Sequence, residues 1–211
     1  TSALGEILLA RHNRVDAKRL LALLDKVSSN TRPVLYKVLD KTITIALLPA
    51  IVAKTDCPEP MVRVYLISLL ARFKTPESTG TLIKMLGDPN KLVRQSALKA
   101  LAQINSPQYT AEICALLKDP DLTVQATAIE TLATINAPDT IRHLIEVLQD
   151  DSEYIRRAAV EVLNEVGNQS AIKDLLVALR DADWWVKVRA ADALGTIGGP
   201  KVFEAVLQLI K

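Results

Sequence analysis

One spacing governs this chain. Leu86, Leu117, Leu148, Leu179 and Ile210 follow one another 31 residues apart, and Asp88, Asp119, Asp150 and Asp181 keep the same step. Val93, Val124, Ile155 and Val186 form a third such series, and Leu101, Leu132, Leu163 and Leu194 a fourth. A unit that recurs at this length cannot bury its apolar face alone and needs neighbours on both sides, so the spacing predicts a stacked array and not a compact globule.

Inside one unit the apolar pattern is helical twice over. Ile155, Ala159, Val162, Leu163 and Val166 fall at i, i+4, i+7, i+8 and i+11, one stripe along a helix face. Ala171 to Leu179 is shorter and more continuously apolar, which predicts a helix covered on more sides. Punctuation separates the two: Asp88-Pro89 and Asp119-Pro120, and Asn-x-Pro at Asn105-Pro107 and Asn136-Pro138. Gly167 and Gly198 stand in the column of Asn105 and Asn136, where a left-handed helix C-cap is expected. The fold class is therefore all-α: an α-solenoid of antiparallel helical hairpins, coiled as a right-handed superhelix. Second helices are expected near 59–73, 90–104, 121–135, 152–166 and 183–197, and first helices near 77–86, 108–117, 139–148, 170–179 and 201–210.

Residues 1–54 keep the composition and blur the spacing. Arg32, Leu35 and Leu39 lie 31 before Arg63, Leu66 and Leu70, with Leu20 to Leu24 as the preceding helix and Leu4 to Leu9 as one more. This reads as a degenerate N-terminal cap on a regular array over 55–211. Pro33 fits a first turn, and Pro49 should start or kink a helix. The chain opens at Thr1 without Met and its last helix lacks a partner, so a fragment of a longer protein is expected.

At these columns the chain resembles the HEAT-repeat family, and more narrowly the short bacterial units of the phycobilisome-lyase type. The resemblance is carried by an Asp-containing turn followed by Val-Arg-x-x-Ala-x-x-x-Leu: Asp88 with Val93-Arg94 and Ala97 to Leu101, and Asp150 with Ile155-Arg156 and Ala159 to Leu163. Asp181 with Val186-Lys187 and Ala190 to Leu194 keeps the same pattern. Gln125 departs from it, which breaks the expected Asp/Arg ladder at that unit. The resemblance implies a binding surface and no particular chemistry, because proteins of this fold share little else.

The side chains of the common catalytic sites are few and scattered along the sequence. A di-iron centre on helical hairpins, as in deoxyhypusine hydroxylase, needs His-Glu pairs on successive units, and this chain has only His12 and His143. Cys57 and Cys114 lie in different repeats without metal-ligand spacing, and read as reduced, buried thiols. His143 is expected at the surface or half-buried. No glycine-rich phosphate loop and no base for a Ser or Asp are evident, so no enzyme, cofactor or metal is expected. No stretch has the length of a membrane span and no signal peptide opens the sequence, so a cytoplasmic protein is expected, and the resemblance to short bacterial units implies a bacterial one.

What remains is surface. Residues 1–74 carry twelve Lys/Arg against six Asp/Glu, and 75–211 carry fourteen against eighteen, without a run of five basic residues, so nucleic acid is a weak candidate. Two outward rows on the second helices, Lys99, Glu130, Glu161, Asp192 and Gln95, Ala126, Arg157, Val188, are mixed in sign and favour a protein or peptide partner. The sharpest local feature is Trp184-Trp185, because two adjacent tryptophans at a helix start cannot both point inward. With Tyr154, Arg156, Arg157, Lys187 and Arg189 they form the candidate partner-binding set, of interface composition. A packing role over the turn and over basic side-chain stems stands beside that reading. The function expected is a non-catalytic protein-interaction scaffold or docking module, with further domains of the same parent chain as candidate partners. A bilin lyase or isomerase-type subunit and a nucleic-acid binder like the HEAT-like alkylpurine glycosylases are the alternatives.

Overall fold

The computed structural model describes residues 16–137, 140–200 and 202–203, and among them the regular structure is helical throughout. The expected helices at Leu4–Leu9 and 201–210 lie wholly or almost wholly outside the described residues. Contacts divide the chain into two compact units, Thr1–Ile104 and Asn105–Lys211.

The first unit contains α1 (Ala17–Leu23), α2 (Arg32–Thr42), α3 (Leu48–Lys54), α4 (Pro60–Phe73), α5 (Pro76–Met85) and α6 (Lys91–Ile104). Pro33, Pro49, Pro60 and Pro76 all sit in first turns, where the missing N–H costs nothing. Pro49 thus starts a helix and does not kink one. Thr75 and Ser78 form a reciprocal capping box that fixes the sharp entry into α5. Hairpins α3/α4 and α5/α6 pack so that α4 lies on α6 and α3 on α5, giving a long-helix layer and a short-helix layer. Leu66, Leu69, Leu70, Leu82, Leu98 and Leu101 are fully enclosed between them.

The second unit repeats the plan with α7 (Thr110–Ala115), α8 (Leu122–Ile135), α9 (Thr140–Val147), α10 (Glu153–Val166), α11 (Ile172–Ala178) and α12 (Trp184–Ile197). Short 3-10 turns extend α7 at both ends (Pro107–Tyr109, Leu116–Lys118) and precede α11 (Gln169–Ala171). Helix α10 packs on both α8 and α12, while α9 and α11 cover it and α12 from the other layer. The long helices α4, α6, α8, α10 and α12 start at Pro60, Lys91, Leu122, Glu153 and Trp184 and each has 14 residues. The columns 93/124/155/186 and 101/132/163/194 are buried in full, as the sequence pattern requires.

Two expectations need correction. The short helix after α10 is not the more covered one: Val177 on α11 is 57% exposed, because an outer-layer helix has neighbours on one side only. Gly167 is not a left-handed cap either. Lys74, Asn105 and Asn136 close their helices at φ between 43° and 53°, whereas Gly198 has φ 61° with ψ −167°, away from the left-handed helical conformation, and Gly167 has φ −60° and ψ 148°. Its need for glycine is steric, since a Cβ there would lie 2.2 Å from the Leu163 carbonyl oxygen.

Candidate functional site

The turn side of each unit is built by one recurring knot. Asp88, Asp119, Asp150 and Asp181 each accept the backbone N–H two residues on, at 2.8–3.0 Å, which holds the turn that opens the next long helix. From the preceding long helix an arginine reaches the same carboxylate with two N–H donors: Arg63 to Asp88 at 2.8 Å twice, and Arg156 to Asp181 at 2.7 and 2.8 Å. A further donor of the same side chain satisfies a turn carbonyl, from Arg63 to Cys57 and from Arg156 to Asp150. Gln125 keeps only this last part, donating to the Asp119 carbonyl at 2.7 Å. The carboxylate of Asp150 is claimed instead by Lys118, whose ammonium holds it below the usual carboxylate range. In the first unit Cys57 stands in the aspartate column, and Arg32 turns to Glu59 at 3.2 Å.

This knot decides the standing of two candidate residues. Arg156 belongs to it and is largely buried against Asp181, lining a hollow with Leu148, Asp151 and Arg180. Lys187 occupies the Arg156 column on α12 and is exposed. Arg156 is thereby engaged at the turn.

The other candidates come together on a different face. Tyr154, Trp184 and Trp185 are 59%, 63% and 40% exposed. At that exposure neither indole enters the core, and the two meet edge to face at 5.4 Å. Arg157 lies with its guanidinium 5.4 Å from the Tyr154 ring centroid and donates to both oxygens of Asp183. Asp183 also caps α12 by accepting the Val186 N–H at 3.1 Å, and Arg157 pulls its pKa down to about 2. One turn further on, Arg189 grips Glu161 at 2.6 and 2.8 Å and Asp192 at 3.0 Å.

Between these side chains runs an open groove of about 290 Å³ over α8, α10 and α12, lined by Leu122, Ala126, Ile129, Tyr154, Arg157, Ala158, Glu161 and Trp185. It runs along the two outward rows read from the sequence, through Ala126 and Arg157 in one and Glu161 in the other. Leu122, 70% exposed, was missed as a site residue. Its signal was available: it stands in the column of Trp184, an apolar residue where the stack makes no demand for one. A smaller groove of about 230 Å³ lies in the first unit between α4 and α6, along Val64, Ser68, Lys99 and Gln103.

Reactive side chains are placed elsewhere. Cys57 and Cys114 are buried and free, and burial pushes their thiols up, Cys114 to about 12. His143 is half-buried on α9 with Nδ1 3.8 Å from Glu146. Among the described residues no three His, Cys, Asp or Glu side chains gather to hold a metal ion, and no helix is long and apolar enough to cross a membrane.

Hairpins in two layers, repeated turn knots and buried Leu/Val columns define an α-helical repeat protein. The family model for HEAT repeats matches residues 48–133, 93–164 and 141–211, and the chain belongs to the HEAT-repeat family. No curated protein sequence matches it. Among solved structures it is similar to an engineered protein (20% identity, 87% of this chain and 97% of that one, TM-score 0.51). It is also similar to the Escherichia coli protein YibA (19% identity, 96% and 77%, TM-score 0.51). A third likeness is to a designed armadillo repeat protein in complex with the peptide (KR)4 (18% identity, 87% and 100%, TM-score 0.50). At these identities the likeness is one of fold.

Proposed function

We propose that this chain is a non-catalytic docking module that binds a protein or peptide along the groove of α8, α10 and α12, with residues 1–54 as its N-terminal cap and cytoplasmic residence. The observation that carries the reading is the cluster of Leu122, Tyr154, Trp184 and Trp185, each at least 40% exposed, around a groove whose own cations are already paired with acids. Exposed aromatics of this density cost solubility and contribute little to the core, and they have the composition of interface anchors. A designed armadillo repeat protein of similar fold is in complex with the peptide (KR)4, which is consistent with use of such a scaffold for peptide capture.

The test is affinity capture with mass spectrometry, comparing the chain with its Trp184→Ala/Trp185→Ala variant. Proteins retained by the first and lost by the second, with Glu153→Ala retaining them, are the expected result. Equal retention by both would remove the groove from the account.

A further inference from the structure

The groove face of the second unit is unequal in charge. Its guanidiniums are Arg157 and Arg189, while its carboxylates are Asp183, Glu161, Asp192 and Glu130. Both cations are already committed, Arg157 to Asp183 and Arg189 to Glu161 and Asp192. Glu130 shares the outward row of Glu161 and Asp192, is exposed, and makes no ion pair among the described residues. The face therefore keeps two more carboxylates than guanidiniums, set around aromatic and aliphatic surface.

We infer that the groove selects an extended basic segment, with Lys or Arg side chains alternating with an aliphatic anchor. The inference rests on the docking reading above and adds the chemistry of the occupant. Side chains of an extended strand point alternately to opposite sides. Aliphatic ones can settle on Ala126, Ile129 and Ala158, while the cationic ones between them reach Glu130, Glu161 and Asp192. Three helices at ordinary packing distance span roughly 20 Å, which an extended chain covers with about six residues.

The protein already displays the preferred arrangement once. Arg157 lies over the Tyr154 ring with a carboxylate at its tip. An incoming cation finds the same pair of elements at Trp185, an indole face with Glu161 on the same groove wall. An acidic segment meets the reverse situation. It is repelled by Glu130, and the charge of both guanidiniums on this face is already balanced by Asp183, Glu161 and Asp192.

The chain has only two tryptophans, Trp184 and Trp185, so its tryptophan emission, excited apart from tyrosine, reports on the start of α12. The experiment titrates the full chain with a ten-residue synthetic peptide carrying leucine at its centre and lysine at alternate positions, and with its twin carrying glutamate at those positions. The lysine peptide is expected to shift the emission and saturate. Its affinity should fall about threefold or more in Glu130→Lys and fall again with added salt, the size expected of exposed charge pairs. The glutamate twin should leave the emission unchanged. If the twin binds as tightly as the lysine peptide, or if Glu130→Lys leaves affinity intact, the charge assignment is overturned and the docking reading stands. If neither peptide moves the emission, the inference is overturned, and the docking reading is then decided separately by tryptophan-dependent capture.

Discussion

Gly167 and Gly80 are both glycines in or beside helices, yet they do opposite things. At Gly167 any side chain would drive a Cβ into the Leu163 carbonyl at 2.2 Å, so the α10 end must shift to admit one. Gly167→Ala should lower stability by about 1–3 kcal/mol, the usual cost of forcing atoms into packed space. Gly80 lies inside α5 with nothing within 4 Å of a built Cβ. Gly80→Ala should raise stability by about 0.5–1 kcal/mol by restricting the unfolded chain, and urea unfolding of the two variants measures both. The charged residues make a second prediction. Arg157, Arg156 and Lys118 hold Asp183, Asp181 and Asp150 below the ordinary carboxylate range. Each folded pKa lies under its unfolded value, so the contribution is present above about pH 4 and is lost as pH falls towards 2. Melting temperature should drop across that window, and Asp181→Asn should flatten the drop.

Among the elements, the junction of α8 with α10 departs from the ladder that serves elsewhere. Gln125 cannot reach Asp150 as Arg63 reaches Asp88 and Arg156 reaches Asp181, and Lys118, with its side chain 55% exposed, does so from the short-helix layer. A flexible, solvated ammonium is a weaker tie than a planar two-pronged guanidinium. Gln125→Arg should therefore restore the ladder and stabilise the second unit by up to about 1 kcal/mol, while Lys118→Met should cost a similar amount. Slower amide exchange at the α9–α10 turn in the first variant, and faster in the second, is the readout. The gap itself was legible in the sequence as the one polar, uncharged residue in a basic column. Its repair was not, because Lys118 belongs to a different column and only packing brings it to Asp150. The same limit explains Gly167. Its column predicted a cap, but the conformation that closes α10 is set jointly with its neighbour Asn168, which restarts the chain in extended geometry.

Within each unit, the hairpin layers and buried columns of the described residues follow the sequence pattern because burial between packed helices is dictated by polarity. The candidate site was legible in part. Tyr154 and Trp185 are juxtaposed because they share one column on successive long helices, with Trp184 and Arg157 beside them. Arg156 carries the same charge one residue away and is directed to the turn knot, a distinction of helix face that composition alone does not make. Docking along this groove requires the aromatic ridge to be surplus to folding and available for contact. Thermal unfolding of the Trp184→Ala/Trp185→Ala variant tests this most directly. With side chains as exposed as these, the melting temperature should stay within about 2 °C of the parent. A fall of about 10 °C or more would mean that the two indoles hold the second unit together, and would contradict a surface kept for binding.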